Sequence, residues 1–174
     1  GQSFAAADLQ DLAKETRLVV DESFGDPQPD LSLAPSAGAP GLIILRSFGK
    51  FYGLAGLRLG FVIGCSDDIA RLDDMAGPWP VNGAALRIAT QALTDHAWAK
   101  ATILRLQAET AKADALAKAA GWAVVGGTEL FRLYETPDAK AAQDRLAQHQ
   151  IWSRIFPYSA RWLRLGLPGD EAEW

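Results

Sequence analysis

Residues 42–64 read LIILRSFGKFYGLAGLRLGFVIG: an apolar run, a small polar turn with one lysine, then a second apolar run behind an arginine. Leu42-Ile43-Ile44-Leu45 has the length and fully apolar character of a strand buried on both faces. Leu59-Gly60-Phe61-Val62-Ile63-Gly64 is similar. Gly49, Gly53 and Gly56 between them let the backbone turn tightly and approach a ligand. Ser47, Lys50 and Arg58 are the polar groups of that turn. A hydroxyl, an amine and a guanidinium at strand ends suit a phosphorylated carbonyl compound. The plainer alternative is that Lys50 is a solvated surface lysine. The spacing excludes two common phosphate loops. Gly49-Lys50 is followed by Phe51, with no Ser or Thr for magnesium, and Gly53, Gly56 and Gly60 do not form GxGxxG. Ser47-x-x-Lys50 alone is thin support for a β-lactamase-type nucleophile.

The segment SFGKFYGLAGLRLGF resembles the lysine segment of fold-type I pyridoxal-phosphate (PLP) enzymes, in the branch that holds histidinol-phosphate aminotransferase and threonine-phosphate decarboxylase. The resemblance implies that Lys50 joins the cofactor covalently and that Ser47 and Arg58 hold its phosphate. Upstream, Arg17-Leu18-Val19-Val20-Asp21 reads as a strand ending in an acid, where ligands gather in parallel sheets. By itself, Asp21-Glu22-Ser23-Phe24 is an ordinary acidic strand end. Within the resemblance, Asp21 faces the pyridine nitrogen and keeps it protonated, so that the ring accepts electrons. Many aminotransferases carry tyrosine three residues on. Phe24 stands there in this chain, cannot bond the cofactor's ring oxygen, and leans toward the decarboxylase.

Composition bounds the rest. The 174 residues are 49% hydrophobic with a net charge of −4 and no basic block, which argues against nucleic acid. No apolar run is long enough to span a membrane, and no signal peptide is visible. The single cysteine, Cys65, excludes an internal disulfide framework and points to a reducing compartment, the cytoplasm. His96, His149 and Cys65 share no metal-ligand spacing, so no metal site is expected.

A helix is expected before residue 16, and residues 26–40, rich in Pro, Ser, Gly and Ala, read as an irregular surface loop. Ser66-Asp67-Asp68 opens a helix that Gly77-Pro78-Trp79-Pro80 breaks. Asn82 caps a helix over residues 83–93, and by resemblance its segment lies near the substrate. Residues 95–120 form a long helix with one packed face. Strands are expected at 122–125 and 130–134, joined by Gly126-Gly127, then a helix from Asp138 to Gln148, then strands at 151–155 and 162–165. Arg164, between two leucines, resembles the family's clamp on the substrate α-carboxylate, a task that suits a planar two-pronged donor. Arg154 stands where relatives carry a substrate-phosphate contact, with Arg161 as a competitor.

The fold expected is α/β: residues 1–80 as the end of a large PLP-binding domain, 81–120 as linker helices and 121–174 as a small α+β domain. The resemblance implies a C-terminal fragment, inactive alone, with Gly1 as the last residue of an upstream Asn-Pro-x-x-Pro-x-Gly motif, and a homodimer at full length. The implied reaction is decarboxylation of L-threonine O-3-phosphate to (R)-1-aminopropan-2-yl phosphate in cobalamin biosynthesis. An aminotransferase of histidinol-phosphate type shares Asp21, Ser47, Lys50, Arg58 and Arg164, and a non-catalytic effector domain of a transcription regulator is a third reading.

Overall fold

The computed structural model describes residues 2–174; Gly1, and with it the motif assigned to that residue, lies outside the described residues. Two compact units are present, Ser3–His96 and Ala97–Trp174.

In the first unit, helix α1 (Ala6–Glu15) leads into strand β1 (Leu18–Asp21). Strand β2 (Leu42–Ser47) lies parallel to β1, with Asp21 beside Leu45. Parallel partners need a long crossover, and residues 22–41 supply it through 3-10 turns at Pro29–Leu31 and Ala34–Ser36. This crossover is more than a surface loop, because Leu33 is fully buried with Ala13, Leu42 and Ile44. Burial of an aliphatic side chain of this size contributes about 1.5–3 kcal/mol, which fixes α1 and the crossover onto the sheet.

Strand β3 (Gly60–Ile63) runs antiparallel to β2 and pairs Gly60 with Ser47. It is not buried on both faces. Its exposure alternates along the strand and Val62 is exposed, so among the described residues one face of β3 has no covering layer. Helix α2 (Ser66–Ala76) follows. Helix α3 (Gly83–Thr94) buries Ala85 and Ala89 against Phe48 and Leu59 of the lysine turn.

The second unit opens with helix α4 (His96–Ala119). Its sheet has the order β4-β5-β7-β6, antiparallel throughout, from strands β4 (Ala123–Thr128), β5 (Phe131–Glu135), β6 (Arg154–Phe156) and β7 (Ser159–Gly166). Helix α5 (Ala139–Gln148) joins β5 to β6 and starts at the Asp138 cap, whose carboxylate accepts from the Ala141 amide. Gly126-Gly127 does not join two strands. Both glycines lie inside β4 beside a bulge, and Gly127 has φ 143°. A Cβ at Gly127 would sit 2.4 Å from the Phe131 carbonyl oxygen, so only glycine lets β4 and β5 close there. The strand expected at 151–155 starts three residues later, at Arg154.

Candidate functional site

Asp21 is the last residue of β1, Ser47 the last of β2 and Gly60 the first of β3. Because β1 and β2 are parallel and β3 runs back, all three ends lie at one edge of the sheet. That edge is the carboxyl end of the parallel pair, where open α/β sheets gather their ligands. Asp21 is exposed, and its Oδ1 accepts from the Ser23 amide at 2.9 Å and from the Ser23 hydroxyl. The aspartate therefore turns the chain immediately after the strand and keeps Oδ2 uncommitted.

The lysine turn is built from contacts of its aromatic rings. Phe48 is 1% exposed and stacks on Tyr52 with ring centroids 4.6 Å apart. Phe61 meets Phe48 edge-on. Gly49 passes so close to Ala55 that a Cβ there would lie 2.9 Å from the Ala55 Cα. This packing pushes Lys50 outward, and its Nζ stands 5.5 Å from the centroid of the Phe24 ring.

Arg58 is the left-handed cap of the 3-10 turn Ala55–Leu57, at φ 55°, and donates to the Ala55 carbonyl at 3.3 Å. Left-handed geometry costs a residue with a side chain about 1–2 kcal/mol. Here it turns Arg58 out just before β3, beside the end that carries Ser47. Asn82 ties α3 to the same turn: its Oδ1 accepts from the Ala85 amide at 2.8 Å, and its Nδ2 donates to the Leu57 carbonyl at 3.4 Å. One side chain thus caps the helix and braces the residue preceding Arg58.

The donor set fits PLP: a hydroxyl and a guanidinium suit a phosphate, a primary amine suits an aldehyde, and a carboxylate suits a protonated ring nitrogen. Asp21, Phe24, Ser47, Lys50, Arg58 and Asn82 all belong to the first unit, whereas Arg154 and Arg164 belong to the second.

Those two arginines are direct cross-strand partners on β6 and β7. They line a cleft of about 460 Å³ together with Gln143, Trp152 and Ser153. Each guanidinium rests on a ring, Arg154 on Phe156 at 5.4 Å and Arg164 on Phe131 at 5.0 Å. Neighbouring like charges repel, and the ion pairs among the described residues give neither an acid. Such a pair of forks suits an anionic ligand. Arg161, the competitor, instead pairs with Glu135 at 3.0 Å.

The sequence reading misses a cluster beside Asp21. Arg46 donates through Nη1 to Glu22 Oε2 (2.9 Å) and Ser32 Oγ (3.3 Å), and through Nη2 to Asp26 Oδ1 (2.5 Å). Glu22, 8% exposed, also accepts from the Leu33 amide at 2.6 Å and the Ser32 hydroxyl at 2.7 Å. Burial lowers the pKa of Arg46, but Asp26 and Glu22 together outweigh it, so the net shift is upward. Burial, assisted by Asp26, likewise raises the Tyr52 phenol. The signal available was a charged residue at the end of an otherwise apolar run, LIILR.

The model of the family described as aminotransferase class I and II matches residues 1–173. A threonine-phosphate decarboxylase of Pseudomonas aeruginosa is 45% identical over 157 residues, covering 90% of this chain and 47% of the relative. One from Sinorhizobium sp. is 43% identical, covering 99% of this chain and 53% of the relative. The fold matches a Sinorhizobium meliloti histidinol-phosphate aminotransferase solved with PLP, at TM-score 0.88, 24% identity, 98% of this chain and 50% of that one. It also matches the L-threonine-O-3-phosphate decarboxylase of Porphyromonas gingivalis, at TM-score 0.79, 21% identity, 97% of this chain and 56% of that one. The chain belongs to the class I and II aminotransferase family, whose members are PLP-dependent. It spans about half the length of the curated relatives that it matches.

Proposed function

We propose that the full-length protein is a PLP-dependent carboxy-lyase that converts L-threonine O-3-phosphate to (R)-1-aminopropan-2-yl phosphate and carbon dioxide. The observation carrying this reading is the gap in identity. Threonine-phosphate decarboxylases match at 43–45%, and histidinol-phosphate aminotransferases at 29–33% over comparable lengths. Phe24 supports the same choice.

The roles follow from the side chains. Lys50 holds the cofactor through its amine and is the group that carries a proton to or from the reacting carbon. Ser47 and Arg58 hold the cofactor phosphate. Asp21 keeps the ring nitrogen protonated through Oδ2. When bound, PLP supplies the electron sink for the pair released as the carboxylate departs. Arg164 orients that carboxylate through its fork, Arg154 meets the substrate phosphate, and Asn82 braces the segment beside the substrate. The protein acts in the cytoplasm as a homodimer, and the product enters cobalamin side-chain synthesis. Among the described residues no helix is long and apolar enough to cross a membrane.

The test incubates the full-length protein with PLP and L-threonine O-3-phosphate, without an oxo-acid. Release of carbon dioxide with an amino-alcohol phosphate is expected, and Lys50→Ala abolishes it. Amino transfer from histidinol phosphate to 2-oxoglutarate, with no carbon dioxide, would overturn the lyase reading.

A further inference from the structure

We infer that Gln143 on α5 is a positioning residue that holds Arg154 beside Arg164, so that both forks meet one anion. The inference rests on the reading of Arg154 as the substrate-phosphate contact. Strand β6 is a weak platform for a binding residue. It is three residues long, forms the edge of its sheet, pairs with β7 alone among the described strands and shifts register between Ile155 and Phe156. Its approach from α5 offers little packing, with Ile151 42% and Trp152 84% exposed. The helix end is tied down first: the His149 and Ile151 amides donate to the Leu146 carbonyl, and the Gln150 amide donates to the Ala147 carbonyl. The chain is caught again at Ser153, 4% exposed, whose carbonyl accepts from Gln143 Nε2 at 3.0 Å. The Ser153 hydroxyl oxygen is buried and has no hydrogen-bond partner among the described residues, so the carbonyl is the polar handle of that residue.

Ser153 immediately precedes Arg154, and Arg154 has cause to move. It is exposed, and its cross-strand partner is a second arginine. Like charges on neighbouring strands repel. Strand β7 holds the backbone of β6 on one flank, and the Gln143 amide holds it at the entry. The arm that carries Gln143 is itself fixed, because α5 starts on the Asp138 cap and packs beside β6 and β7. Released at Ser153, the strand would let the two guanidiniums drift apart. An anion would then have to draw Arg154 back before both forks could bind it, and that ordering is subtracted from affinity. Gln143, which lines the same cleft, removes the cost by fixing the strand before the ligand arrives. The phosphate end of the substrate is remote from the reacting carbon. It is held alike in the ground state and the transition state, so the effect falls on KM and spares kcat.

The test titrates inorganic phosphate into the full-length protein loaded with PLP, so that the cofactor-phosphate site is already filled. Gln143→Met keeps the length of the side chain and suits a helix, but it has no donor for Ser153. It is expected to weaken phosphate binding about three- to tenfold, the range set by one neutral hydrogen bond. KM for L-threonine O-3-phosphate rises by the same factor while kcat holds. Arg154→Ala alone weakens phosphate binding about tenfold or more. Adding Gln143→Met to it has less than about a twofold further effect, since the two act through one contact. If Gln143→Met fails to fold, Gln143→Ala, a stronger helix former, takes its place in the cycle. Unchanged phosphate affinity in Gln143→Met, a loss confined to kcat, or multiplying effects of the two substitutions overturns the inference while the phosphate role of Arg154 stands. Phosphate binding by Arg154→Ala as tight as that of the unaltered protein overturns both.

Discussion

Asp114→Ala is expected to destabilise the second unit by about 3 kcal/mol, and about half of that loss should be recoverable by a second deletion. Asp114 on α4 accepts from Arg132 Nε at 3.0 Å, Arg132 Nη2 at 2.7 Å and the Tyr134 hydroxyl at 2.9 Å. Arg132 and Tyr134 flank Leu133, and Leu133 lies opposite Arg164. The carboxylate therefore clamps the strand on which the cleft arginine is laid. Without it, the Tyr134 hydroxyl, on a residue 1% exposed, has no acceptor. An orphaned buried hydroxyl costs about 1–3 kcal/mol. The Arg132 side chain is 19% exposed, so water partly replaces its partner and the further loss is about 1 kcal/mol. Adding Tyr134→Phe removes the orphan, and the double variant should be about 1–2 kcal/mol more stable than Asp114→Ala alone. Urea unfolding, with hydrogen exchange of the β5 amides as the local readout, measures both steps.

The pH dependence has a sign. Burial pushes the Asp114 carboxyl up, but hydrogen bonds from Arg132 and Tyr134 outweigh it and hold the net shift downward. Its stabilisation is present above the ordinary carboxylate value, about 4, and is lost as pH falls through the lower folded value. Burial, then the bond to Asp114, raises the Tyr134 phenol far above its usual range. That contribution is complete below about pH 10 and declines as pH rises beyond it. A double variant no more stable than Asp114→Ala, or a single loss under about 1 kcal/mol, would refute the reasoning.

Arg58→Gly should relieve the left-handed backbone and raise the melting temperature of the protein freed of PLP, while weakening PLP affinity by about tenfold or more. Unchanged affinity in an equilibrium titration counts against the phosphate role. Asn82→Ala should cost about 1 kcal/mol through the lost cap, and Asn82→Asp, which keeps the acceptor, should recover most of it in thermal unfolding. Arg164→Lys should raise KM for the phosphorylated amino acid about tenfold or more, because a point charge replaces a fork. A KM equal to that of the unaltered protein would remove Arg164 from substrate binding.

Much of the first unit was legible because its signals are local. Apolar runs of strand length, glycines at the lysine turn and an aspartate at a strand end are each read within a few residues. Asn82 and Asp138 announced their helices in the same way. What escaped depends on distance. Arg46 gains meaning only from acids 24 and 20 positions upstream, and no local periodicity reports that pairing. The Gly126-Gly127 misreading has a similar source. A glycine pair signals a turn or a close backbone approach equally well, and the choice is made by Phe131 and Arg132 on the neighbouring strand. The pairing of Arg154 with Arg164 follows from a two-residue connection at Pro157-Tyr158 and a register shift between Ile155 and Phe156. Neither is written in residue type.

Strand β1 has a consequence for handling the chain in solution. Leu18 and Glu22 donate their amides to Gly41 and Leu45, on the β2 side. In a parallel strand the intervening residues face the opposite way, so the backbone groups of Val19 and Asp21 point away from β2 along the rim of the three-stranded sheet. Val19 adds an exposed branched side chain to that rim. Among the described residues no further strand pairs along that rim, and such an edge is a template for a further extended peptide. Val19→Lys, which sets a charge on that rim, is expected to lower any strand-to-strand association of the chain, as read by light scattering against concentration.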